Sequence, residues 1–192
     1  DDETLGCGGT LLRHTAEGTA VHWLIMTAMS EALGFAAERI ANRAVEVERV
    51  AAAYGFAEVH QVKLPTTRLD TVPMADAVKS VATVIARVQP TVVYVPYRND
   101  AHSDHAVVFD AVAACCKSFR YPSIRSVYAY ETLSETEFGL RTDDPGFRPN
   151  LFVETTAWLD RKIEIMKLFA EEIAAFPFPR SEECVRAQSM LR

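Results

Sequence analysis

The 192-residue sequence has no Lys/Arg run, no long apolar run and no cysteine spacing that reads as a framework, and each absence removes a class of function. Against 26 acidic residues stand 20 basic ones, for a net charge of -6, so a phosphate backbone would find no electrostatic footprint and nucleic acid is not an expected partner. No stretch reaches the roughly eighteen apolar residues of a membrane span, and no charged-then-apolar leader precedes the first polar segment, which makes the cytoplasm the expected compartment. Cys7, Cys115, Cys116 and Cys184 lack zinc-knuckle or disulfide spacing. Adjacent Cys115 and Cys116 fall in an apolar, Ala-rich stretch, so buried reduced thiols are expected, and a redox role would need an exposed thiol of low pKa. The glycines of Gly6-Cys7-Gly8-Gly9 lack dinucleotide-binding spacing. The sequence also starts without a methionine and in a polar segment, from which we expect residues upstream of Asp1, including a strand leading into it.

What is present is a chain 49% hydrophobic and 24% charged, enough to bury one continuous core, so residues 1–192 are expected to form a single domain. Leu5 to Glu17 suits a helix closed by Gly18, and Val21 to Met26 a buried strand. Ile40, Ala44, Val47, Ala51 and Tyr54 repeat at helical spacing before Gly55; Val59 to Leu64 then reads as a strand ending at Pro65. Pro73 opens a helix with Val78, Val81, Ile85 and Val88 on one face, followed by the continuously apolar strand Thr91 to Val95. A helix over His105 to Phe119, a strand over Ile124 to Tyr130, a polar loop from Ser134 to Asn150 and an amphipathic helix through Ile163, Met166, Ala170 and Ile173 complete the pattern. Strands alternating with helices argue for an α/β fold, a doubly wound, mostly parallel sheet with helices on both faces. Such folds bind ligands outside the carboxyl ends of the strands.

Two polar segments fall at those ends. Asp1-Asp2-Glu3 pairs carboxylates, so that one oxygen can hold a metal while another stays free to take a proton. About a hundred residues on, His102-Ser103-Asp104-His105 sets two imidazoles three positions apart around a carboxylate, one ring to bind metal and one to act as an acid. The alternative is a solvated loop before a capped helix, with Asp100 or Asp104 accepting helix amides and the first acidic pair complementing a helix dipole. His14, His22 and His60 read as helix-surface, strand-packing or edge residues and receive no chemistry.

Taken together, the motifs Asp1-Asp2-Glu3-Thr4-Leu5-Gly6-Cys7-Gly8-Gly9-Thr10 and His102-Ser103-Asp104-His105 resemble those of the LmbE-like or PIG-L family of zinc-dependent N-deacetylases. Looser matches include Arg43 to Gly55, Tyr130 to Ser134, Phe152 to Glu154 and Phe176 to Glu183. The resemblance implies Zn2+ held by Asp2 and His105, with the family's other histidine two residues before Asp1. It implies Asp1 as the general base, His102 as the acid that protonates the leaving amine, Asp104 orienting an imidazole, and Arg43 touching substrate, unless Arg43 is only a surface partner of Glu46. It further implies removal of an N-acyl group, most simply acetyl, from a small amino sugar or glycoside. The alternatives are an amidase of a related sugar or thiol conjugate, or a catalytically silent sugar- or metal-binding module. A homo-oligomer is allowed. Two departures from relatives stand out: Thr66-Thr67 where an aspartate often helps hold the sugar, and Asp100 where some members carry an oxyanion-stabilising tyrosine.

Overall fold

The period-3.6 and period-2 segments alternate in space as they do along the chain. In the computed structural model, which describes residues 1–192, the order is α1 (Asp2–Ala16), β1 (His22–Ala28), α2 (Ala37–Tyr54), β2 (Glu58–Pro65), α3 (Met74–Val88), β3 (Val92–Pro96), α4 (Ser103–Ala114), β4 (Ser126–Tyr130), α5 (Leu159–Met166) and α6 (Glu182–Leu191). Gly55 stops α2 in the left-handed conformation at φ 72°, as its place after the last apolar repeat predicts. All strand pairing is parallel: β1 pairs with β2, and β3 with β4.

Strand side chains alternate between two cores. Trp23, Ile25, Val59, Tyr94 and Tyr130 pack with α1, α2 and α5 around Leu5, Val50, Ile163 and Phe169. Leu24, Met26, Val62, Val93 and Val95 pack on the other face with α3 and α4, against Val81, Ile85 and Val112. Helices therefore cover both faces, as the apolar strands require. β1 and β3 face one another across a cleft of about 1120 Å³ that every residue of both strands lines, with no ladder between them. No helix is long and apolar enough to cross a membrane.

Three expectations are corrected. The first helix starts at Asp2, three residues before the expected Leu5, and the glycines near the N-terminus lie well inside it. They are small for packing reasons: a Cβ on Gly6 would lie 2.3 Å from the Tyr130 ring, and one on Gly8 2.5 Å from the Tyr54 hydroxyl. The helix expected to run through Ile173 ends at Met166, where the amides of Leu168 and Phe169 turn to carbonyls three residues back and drive Phe169 into the core. The α4 helix starts two residues early and ends at Ala114, since the Cys115 amide closes onto Val112 O instead of continuing the ladder.

Candidate metal and active site

The N-terminal turn of α1 and the loop after β3 meet at the carboxyl ends of the strands, as the topology demands. His105, on the first turn of α4, is buried, with 4% of its surface exposed. Its Nδ1–H donates to Asp100 Oδ2 at 2.7 Å and its Nε2–H to Asp2 Oδ2 at 3.2 Å. Burial opposes the charged ring, but the bonds to Asp100 and Asp2 outweigh it and raise the imidazole to about 9. Burial likewise pushes Asp2 up, yet the His105 hydrogen bond and nearby positive charges hold its carboxyl below the usual range. The imidazole is thus held between two carboxylates.

That arrangement fits a metal. With the Nε2 proton replaced by a divalent ion, Asp2 and His105 supply an adjacent oxygen and nitrogen, and Asp100 keeps its bond to Nδ1, which fixes the tautomer and ring orientation. Asp100 is itself fixed: its side chain has no exposed surface and its second oxygen accepts from the Thr136 hydroxyl at 2.6 Å. This residue, noted in the sequence as a candidate acceptor of helix amides and as a departure from relatives, is the one that holds the His105 ring. Asp104 is not: its two oxygens accept the backbone amides of Thr67 at 2.7 Å and Leu69 at 3.0 Å. A capping role was among the readings of Asp104, and it holds with a difference, because the amides belong to the 66–69 turn after β2.

His102 caps α4. Its Nδ1 accepts the Asp104 amide at 3.2 Å, leaving Nε2 as the nitrogen open to exchange, and its ring stacks on His105 with centroids 5.1 Å apart. Asp1 Oδ2 accepts from Arg180 at 2.7 Å, while Oδ1 lies 4.0 Å from Arg43. Arg43 pairs with Glu46 at 3.3 Å and Glu172 at 2.7 Å, lies over the Phe169 ring, and lines the cleft beside Asp1. Asp1, Asp2, Arg43, His102, Asp104 and His105 thus converge on one end of the cleft.

Arg180 went unassigned in the sequence. It ties Asp1 to Glu172, Glu135 and Ser134, and only its position in the loosely matched Phe176 to Glu183 segment hinted at it. The 134–150 loop docks beside the same end: the Tyr97 hydroxyl donates to Asp144 at 2.9 Å and the Ala101 amide to Glu135 O at 3.0 Å. The thiols take no part. Cys7 and Cys115 are buried and burial raises both, the opposite of what a redox thiol needs.

Known structures share this architecture. The conserved protein TT1542 of Thermus thermophilus superposes with a TM-score of 0.73 at 24% identity, covering 100% of this chain and 82% of its own. The N,N'-diacetylchitobiose deacetylase of Pyrococcus horikoshii gives 0.75 at 20% identity, over 100% and 74%. The 4-carboxy-2-hydroxymuconate hydratase of Pseudomonas putida KT2440 gives 0.67 at 19%, over 99% and 79%, so the fold carries more than one chemistry. No curated protein matches in sequence. Residues 1–116, more than half of the chain and the part that contains both polar motifs, match PIG-L, GlcNAc-PI de-N-acetylase, and the chain belongs to that family.

Proposed function

We propose that the protein is a zinc-dependent hydrolase that removes an N-acyl group, most simply acetyl, from an amino sugar or its glycoside. The observation that carries this reading is the clamped His105 beside Asp2, with two proton-handling groups, Asp1 and His102, left over at the same cleft. Metal binding alone would need neither. Asp2 and His105 would hold the ion together with a residue preceding Asp1. Zinc, when bound, lowers the pKa of its water to about 7 and polarises a carbonyl.

The rest of the chemistry belongs to side chains. Asp1 accepts the proton of the attacking water through Oδ1, since Arg180 occupies Oδ2. Water attacks the amide carbon, the C–N bond breaks, and the amine leaves with a proton from His102 Nε2. His102 is poised for this in two stages. While Nδ1 accepts the Asp104 amide, the neutral ring presents Nε2–H as a hydrogen-bond donor to the developing oxyanion. Giving that proton to the amine requires Nδ1 to take up another from solvent, and the capping bond to the Asp104 amide opens as it does. Asp100, where relatives carry a tyrosine, supplies no donor here, so most of the carbonyl polarisation would fall to zinc when bound, with His102 Nε2–H beside it.

Arg43, Arg180 and the 66–72 and 134–150 loops would bind the sugar hydroxyls. The test is amine release from N-acetylglucosamine, its glycosides and acyl-amine conjugates by the metal-loaded protein, compared with Asp1→Asn. Release that the variant loses while keeping its metal supports the hydrolase, and the preferred substrate separates deacetylase from amidase. No release from any of them would leave a silent binding module. If Arg43 holds substrate, Arg43→Ala raises KM or lowers kcat/KM with metal content intact. If Arg43 only pairs with Glu46, the kinetics stay put and stability falls by at most about 0.5 kcal/mol.

A further inference from the structure

At the opposite, amino-terminal end of the strands, β1 and β2 bring together three potential ligands that the proposed chemistry does not use. In the parallel register His22 lies opposite Glu58, and Leu24 opposite His60. Side chains two apart share a face, so His22, Glu58 and His60 all project from the α3–α4 face of the sheet. His22 Nδ1 lies 3.1 Å from His60 Nε2, and His60 Nε2 lies 3.8 Å from Glu58 Oε2. The rings stack at 5.4 Å and 18°, and one donor atom from each of the three residues falls within 4.8 Å of the others.

From this geometry we infer that His22, Glu58 and His60 form a second divalent-metal site, suited to zinc or a similar borderline ion, that bridges β1 and β2. Bonds of about 2.0–2.2 Å at tetrahedral angles separate ligand atoms by roughly 3.3–3.5 Å, close to the spacings already present. Two imidazoles and a carboxylate form the mixed nitrogen and oxygen set such ions prefer, with room for water as the fourth ligand. His60 is buried, at 7% exposure, which holds its Nε2 between His22 and Glu58. Arg87 pairs with Glu58 Oε1 and so orients the carboxylate while leaving Oε2 turned to His60. The simpler use of the pair, one imidazole donating to the other, needs no carboxylate nearby.

This site is separate from the one at Asp2 and His105. Six residues of largely extended chain lie between His60 and Thr67, which contacts Asp104, a span on the order of 20 Å. The test is a Zn2+ titration of the metal-stripped full-length protein against a competing chromogenic chelator. His22→Gln and Glu58→Gln are the working variants, because both side chains lie at the strand starts and neither substitution opens a hole in the core. The expected result is one equivalent fewer in His22→Gln than in wild type, at least tenfold weaker binding of that equivalent in Glu58→Gln, and no change in amine release for either. Because the readout is a difference of one equivalent, it stands whether or not Asp2 and His105 bind zinc. Equal stoichiometry and affinity in wild type and His22→Gln would overturn the inference.

Discussion

At the carboxyl ends of the strands, His105 lies between Asp2 and Asp100 with His102 stacked beside it; at the amino ends, His22 stacks on His60 with Glu58 alongside. Both gather imidazole and carboxylate at hydrogen-bonding distance. They differ in what is left over. At the carboxyl ends two further polar side chains, Asp1 and His102, line the same cleft, and a buried carboxylate fixes the His105 ring. At the amino ends the two imidazoles pair with each other, and the carboxylate is held from outside by Arg87. On the proposed reading, a cluster of ligands alone suits a metal site, whereas acid and base groups beside it suit chemistry.

Removing a ligand from each end should break that symmetry most visibly. His105→Ala is expected to lose the metal at Asp2 and reduce amine release to background, while His22→Gln leaves turnover unchanged; metal analysis paired with an amine assay reads both. A subtler cut separates binding from proton transfer. His102→Ala should keep its metal and lose about 10²- to 10⁴-fold in kcat, and its pH profile should lack the alkaline limb that deprotonation of the acid gives the wild type.

Next in size is the ring-orienting role of Asp100. Asp100→Asn keeps the shape but removes the charge facing Nδ1, and should weaken metal binding or activity by about 10- to 100-fold, whereas Asp104→Asn should act mainly through the 66–69 turn it caps. Chelator competition on the two variants distinguishes them, and equal effects would return Asp104 to the orienting role.

The smallest effect concerns anchorage of α1, which carries the acidic pair. Buried Lys162 donates to Leu5 O at 2.7 Å, and burial lowers it to about 8 from an ordinary 10.5. The unfolded chain therefore holds more protons than the folded one between those values, so stability should rise as pH increases from 8 to 10.5. The rise is bounded at about 3 kcal/mol, and urea denaturation across that range should show it in the wild type and lose it in Lys162→Met.

Much of this was legible in the sequence for identifiable reasons. Element order followed from apolar periodicity and from Gly18, Gly55 and Pro73 at helix boundaries, and residues as distant as Asp2 and His105 met because strand ends in this topology converge. The α6 helix was overlooked although Ser181, which caps the Cys184 amide, and Glu182 and Glu183 in the first turn spelled a helix start. Asp100 was hidden for a different reason: whether Asp100 or Asp104 faces His105 depends on which way the loop turns, and spacing is silent on that. The His22–Glu58–His60 cluster depends on the β1–β2 register, which no single strand encodes.

The central claim is most directly tested by anomalous scattering at the zinc edge from crystals of the full-length protein grown with zinc. A peak bonded to Asp2 Oδ2 and His105 Nε2, with Asp100 still on Nδ1 and His102 unbonded to the ion, is the expected result. A map with no peak there, and His105 still hydrogen-bonded to Asp2, would contradict it.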